Sequence, residues 1–107
     1  MAKDDEVYRQ HILEAIAKIE QYIKNISRAE FYRSSLIQDA LVRELEIIGE
    51  ASKRLSEEFK KERSGVPWKE IAGFRDKAIH HYLEVDLEVV WQTAQEDIKI
   101  LKEALSR

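Results

Sequence analysis

Cysteine is absent from this chain of 107 residues, which excludes disulfides, thiolate metal ligands and a cysteine nucleophile. The absence suits a reducing compartment, and a cytoplasmic protein is expected. Proline occurs once and glycine three times. So few chain breakers favour a small number of long helices over the many turns of an all-β fold. Long apolar runs are also missing: no stretch approaches the roughly 20 residues a membrane span needs. The opening MAKDDEVYRQ is charged and leads into an amphipathic segment, so no signal peptide is expected there. There is no G-x-S-x-G elbow, no glycine-rich phosphate loop and no H-E-x-x-H pair. Serine-nucleophile chemistry and a helical zinc site are therefore unsupported, and neither a metal nor a cofactor is expected.

What is present is a 44% hydrophobic, 36% charged composition, enough apolar material for one core under a strongly polar surface. The apolar residues recur at helical spacing. Tyr8, Ile12, Ala15, Ile19, Tyr22, Ile23 and Ile26 form one stripe and predict a helix from about Asp4 to Ile26. Ser27 with Glu30 has the spacing of a capping box. Ile37, Leu41, Ile48, Leu55 and Phe59, widened by Leu45 and Ala51, predict a longer helix from about Ala29 or Ser34 to Lys61. Glu44 falls inside that stripe and must be either paired in the core or turned to a cleft. Gly49 lies mid-helix, at about 1 kcal/mol against alanine, which predicts close approach of another helix.

Beyond that helix, Gly65 is suited to closing it, Pro67 to opening a short new one, and Trp68 and Ile71 to plugging the bundle end. Gly73 allows a bend before a helix over Phe74 to Tyr82. Asp86 is placed to cap a last helix carrying Leu87, Val90, Trp91, Ala94, Ile98, Leu101 and Leu105. The expectation is all-α: one domain over residues 1–107, an antiparallel bundle of about four to five helices. A core this small leaves apolar surface to cover, so a homodimer is expected.

Net charge is −3, which argues against coating nucleic acid through the overall field. The charge is uneven, however. Between Phe59 and Leu83, Lys60, Lys61, Arg63, Lys69, Arg75 and Lys77 outnumber Glu62, Glu70 and Asp76, a local basic zone on an acidic body. Such a zone is either a solvated face or a place to meet phosphate.

The stretch GFRDKAIHHY, Gly73 to Tyr82, holds two of the chain's three histidines. On one helix, Arg75 and Tyr82 lie within roughly 20° of each other and Asp76 stacks one turn from His80. His81 then points to the opposite side. The cluster reads either as a polar helix face or as a metal-free acid–base site. In the second reading His80 moves a proton, Arg75 grips phosphate oxygens and Asp76 orients the imidazole ring.

Arg75, four residues, His80, one residue and Tyr82 make the R-x4-H-x-Y pattern. LIQDALVRELEIIGEASKRLSEEF, VPWKEIAGFRDKAIHHY and VDLEVVWQTAQEDIKIL accompany it. Together these segments resemble HepT-like proteins of the HEPN superfamily over about residues 5–105. The resemblance implies a homodimeric helical bundle whose arginines and histidines meet in a cleft between protomers. It implies a metal-independent endoribonuclease, with attack by the 2′-hydroxyl leaving a 2′,3′-cyclic phosphate. His80 would handle the proton and Arg75 would bind the scissile phosphate. Asp76 would occupy a polar position that is often asparagine in relatives, and His81 one that is often glycine. It further implies the toxin half of a toxin–antitoxin pair. The partner would be a minimal nucleotidyltransferase that silences the toxin by attaching AMP to Tyr82. A non-catalytic subunit that binds RNA or nucleotide and escorts that nucleotidyltransferase is the alternative, and a structural dimer with a decayed site is a third.

Overall fold

The computed structural model describes residues 3–80 and 84–107. Its elements in chain order are α1 (Lys3–Ile23), α2 (Arg28–Arg33), α3 (Ser35–Arg54), α4 (Glu57–Lys61), α5 (Trp68–Ala72), α6 (Phe74–Ala78), β1 (Ile79–His80), β2 (Glu84–Val85), α7 (Leu87–Gln92) and α8 (Ile98–Leu105). A π turn over Thr93–Asp97 joins α7 to α8, so the last rod is helical throughout but locally wider than the α-helix expected there. The molecule is an all-α bundle, and its only described sheet is the two-residue pairing of β1 with β2.

The core is the apolar stripes closing on one another. Ile12, Ile16 and Ile19 of α1 meet Leu41, Leu45 and Ile48 of α3, and Val90, Leu101 and Leu105 of the last rod complete the layer, all at most 2% exposed. α1 ends at Ile23, short of Ile26, because Asn25 takes the left-handed conformation (φ 62°), which asparagine tolerates better than most residues. The capping box forms as expected: Glu30 N donates to Ser27 Oγ, and Ser27 N donates to the Glu30 carboxylate. Two contacts tie α8 to α1: Arg9 Nε donates to Leu105 O and Lys102 Nζ to Glu20, both at 2.8 Å.

The long second helix is not continuous. It breaks at Ser34 and again at Leu55–Ser56, where the backbone is extended and each serine becomes an N-cap. Ser34 Oγ accepts from Ile37 N, and Ser56 Oγ accepts from Phe59 N. A serine side chain offers the backbone an alternative to the helical ladder. At Ser56 a second partner makes the break permanent. Asp5, buried at the start of α1, accepts from Ser56 N at 2.8 Å and Ser56 Oγ at 2.7 Å. The start of α1 thus meets the end of α3, which makes the two antiparallel. Asp5→Ala is expected to cost about 3 kcal/mol, from the loss of two hydrogen bonds to a charged acceptor at about 1.5 kcal/mol each. Urea unfolding checks it, and Ser56→Ala in the Asp5→Ala background is expected to add less than it does alone.

α4 ends at Lys61, ahead of Gly65, and no described glycine adopts a positive φ. The closing device is instead Arg63, whose guanidinium donates to Phe59 O at 3.1 Å and lies over the Phe59 ring at 3.7 Å. Pro67 directly precedes α5. Trp68 packs at the core's edge with Nε1 donating to Lys60 O and Arg63 O, and Ile71 is buried. Gly49 behaves as expected: a Cβ there would stand 3.0 Å from Ile71 O, so α5 crosses α3 at backbone contact.

Candidate functional site

Arg75, Asp76 and His80 are positioned by the chain between α5 and α7. α5 rests on α3 at Gly49, and Gly73 (φ −92°, ψ 10°) bends the chain into α6. Phe74 and Ala78 anchor α6 in the core, leaving Arg75, Asp76 and Lys77 exposed. The helix expected to reach Tyr82 stops at Ala78. Ile79 is extended (φ −108°, ψ 110°), and the Ala78 carbonyl accepts from Asp86 N at 2.6 Å rather than from a later helical turn. The residues after Ala78 begin with β-branched isoleucine and histidine, which favour a helix weakly and pair readily as strand. Ile79 sits opposite Val85, and His80 opposite Glu84.

This change of backbone re-sorts the polar cluster. Asp76 and His80 no longer stack along one helix, and no ion pair joins them among the described residues. The carboxylate facing His80 is Asp86, whose Oδ2 lies 3.8 Å from His80 Nε2 while its Oδ1 accepts from Val89 N to cap α7. One aspartate therefore terminates the helix and faces the imidazole. Tyr82 and His81 lie outside the described residues.

Arg75 leans back onto α3, where its guanidinium pairs with the half-buried Glu46. Together they edge a cleft of about 220 Å³ between α3 and the α5–α6 bend, floored by Gly49, Ile71 and Ala72. His80 is exposed and does not line this cleft. Arg75 and His80 are thus neighbours in the chain, each accessible and each beside a carboxylate, on consecutive elements. Glu44 is buried on α3 at 3% exposure, and no buried side-chain polar atom among the described residues lacks a partner. Behind α6, burial and the nearby Glu96 hold the Asp97 carboxyl above its usual range, with Lys77 of α6 opposing.

Glu46 and the second role of Asp86 are what sequence reasoning missed. Glu46 lies in the run LEIIGEA, one residue from the core stripe, and spacing gave it no partner. Only the fold carries α6 back across α3. Asp86 was legible as a cap, but not as the neighbour of His80.

Chemically, the arrangement supplies an exposed guanidinium for an anion and an imidazole for proton transfer. No helix among the described residues is long and apolar enough to cross a membrane.

The family model described as "Ribonuclease HepT-like" matches residues 12–107. The chain is 43% identical over 102 residues to a Thermococcus cleftensis protein named "Probable ribonuclease HepT", covering 95% of this chain and 93% of that one. It is 43% identical over 104 residues to a "Putative RNase" of Caldanaerobacter subterraneus subsp. tengcongensis, covering 94% and 93%. It is 45% identical over 105 residues to a Methanocaldococcus jannaschii protein named "Gamma-glutamylcyclotransferase and putative RNase", but spans only 47% of that protein's length. No solved structure matches the chain. The chain, with its R-x4-H-x-Y run carried on α6 and the residues after it, belongs to the HepT-like ribonuclease family.

Proposed function

We propose that this protein is a metal-independent endoribonuclease. It acts as the toxin half of a toxin–antitoxin pair, at a cleft shared by two copies of the chain. The observation that carries the reading is that Arg75 and His80 are both exposed on adjoining elements and each faces a carboxylate. An RNA phosphate displaces the Glu46 carboxylate from Arg75, so the guanidinium receives the scissile phosphate only when an anion competes for it. His80 takes the proton of the 2′-hydroxyl as its oxygen forms a bond to phosphorus. The bond from phosphorus to the 5′-oxygen breaks, and that oxygen leaves with a proton from an imidazolium. Two copies in one cleft supply two histidines, so base and acid are present together. The products are a 2′,3′-cyclic phosphate and a free 5′-hydroxyl. Asp76, next to Arg75, adjusts the approach of phosphate, and Asp86 keeps the His80 ring oriented.

Silencing follows from Tyr82, two residues beyond His80. AMP attached there by a minimal nucleotidyltransferase adds a phosphate and a bulky base within the R-x4-H-x-Y run, which opposes an incoming RNA phosphate by bulk and by like charge.

The test is incubation of the purified protein with single-stranded RNA in EDTA. Cleavage to fragments ending in cyclic phosphate is expected. RNA that is bound but left uncut would favour the escort subunit instead. Incubation with the nucleotidyltransferase and ATP is expected to add AMP mass to wild type and none to Tyr82→Phe.

A further inference from the structure

A second groove lies between α4 and α5. It is a shallow, open depression of about 450 Å³, lined by Glu57, Lys60 and Lys61 of α4, by Ser64, and by Trp68, Lys69 and Ala72 of α5. Three ammonium groups share this groove with one carboxylate, and Glu57 engages only Lys60, at 3.6 Å. Lys61 and Lys69 are exposed and form no ion pair with a described residue. On a chain of net charge −3, two unneutralised cations in one depression focus the local field on an anion.

The groove has a rigid aromatic wall. Trp68 Nε1 donates to Lys60 O at 3.2 Å and Arg63 O at 3.0 Å, so the indole is fixed between α4 and α5 while part of it stays accessible. A fixed ring beside lysines is the combination that holds single-stranded nucleic acid, the ring stacking on a base and the lysines following the phosphates.

The groove also leads somewhere. Ala72 lines both this groove and the cleft that holds Arg75, so the two depressions meet across the end of α5. Lys69 and Ala72 are three residues apart on α5, about 4.5 Å of rise at 1.5 Å per residue. Lys69 of the groove therefore stands within one helical turn of the residue that lines the Arg75 cleft.

We infer that the Lys61–Lys69–Trp68 groove binds the single-stranded RNA backbone flanking the scissile phosphate and guides it to Arg75. This inference rests on the ribonuclease reading, because it takes RNA as the substrate. It explains how an acidic protein engages a polyanion: through one local tract rather than its overall charge.

The experiment compares the full chain with Lys61→Gln/Lys69→Gln, and with Lys18→Gln/Lys24→Gln as a remote control of equal charge change. The affinity of a long single-stranded RNA is measured against salt concentration. Cleavage of that RNA and of a dinucleoside monophosphate, which is too short to occupy the groove, is followed in parallel. Losing two phosphate contacts is expected to flatten the log K against log salt slope by about 1.4. Affinity for the long RNA should fall about tenfold or more, while dinucleotide cleavage and the remote control stay at wild-type values. Unchanged slope and affinity in the groove variant, with wild type still binding and cutting RNA, overturn the groove and leave the ribonuclease reading standing. An equal loss in the remote control also overturns it, since the effect is then one of overall charge. A wild-type protein that neither binds nor cuts RNA overturns both readings together.

Discussion

His80→Ala and Arg75→Ala are each expected to reduce RNA cleavage by a factor of 100 or more while leaving the fold intact. For histidine the figure is the low end of about 10² to 10⁴ for a positioned general acid or base. For arginine it follows from about 10² to 10³ for removing a group aimed at transition-state charge. Neither side chain is a structural support. Arg75 and His80 are exposed, and α6 is anchored by Phe74 and Ala78. Melting temperatures should therefore stay near wild type, and circular dichroism checks this beside a labelled-RNA cleavage assay. Two further substitutions sharpen the result. Arg75→Lys should recover little activity, because an ammonium cannot offer the planar pair of donors that fits a phosphate. Glu46→Gln removes only the carboxylate that Arg75 leans on in the free protein. RNA binding should strengthen in Glu46→Gln if that carboxylate competes with phosphate. Full cleavage by His80→Ala would mean that the proton travels by another group.

Gly49→Val is expected to destabilise the protein by about 2 kcal/mol and to weaken cleavage as well. A Cβ at residue 49 meets the backbone carbonyl of Ile71 at 3.0 Å, with Ala72 O at 3.7 Å behind it. The obstacle is main chain, so no rotamer change relieves it, and the branched valine adds two carbons to the same gap. Overpacking of this kind costs about 1–3 kcal/mol, and the gain in helix propensity over glycine returns only a few tenths. The site is involved because α5 is the element that must move. It carries Ala72 to the edge of the Arg75 cleft and leads through Gly73 into α6. Chemical denaturation measures the first effect, and cleavage well below the unfolding midpoint measures the second. Wild-type stability in Gly49→Val would show that α5 yields easily and does not fix the position of Arg75.

Much of the bundle was legible because its signals are local or periodic. Ile12, Ala15 and Ile19 of α1 and Leu41, Leu45 and Ile48 of α3 recur every three or four residues, and they are buried where the pattern put them. Ser27 with Glu30 and Asp86 with Val89 are caps completed within one helical turn, so short-range sequence suffices to find them. Gly49 was readable for a different reason: a glycine kept inside a helix, at an energetic cost, implies a close neighbour. The breaks at Ser34 and Ser56 were not readable in the same way. Serine is compatible with a helix interior, and only Asp5, 51 residues away from Ser56, turns the second into a fixed corner.

The same division runs through the site. Composition, periodicity and a short motif are properties of the chain, and they suffice for the all-α class, the apolar stripes, most caps and the choice of Arg75, His80 and Tyr82 as the residues of interest. The tertiary structure decided what stands beside them. It ended α6 at Ala78 and set Asp86, rather than Asp76, opposite His80. It brought Glu46 of α3 to Arg75 and set the lysine groove and the cleft on a shared residue, Ala72. The physical reason is common to all of these. A helical wheel orders side chains along one axis, but a carboxylate acts through distance. The distance from α3 to α6 is set by how closely α5 packs on Gly49.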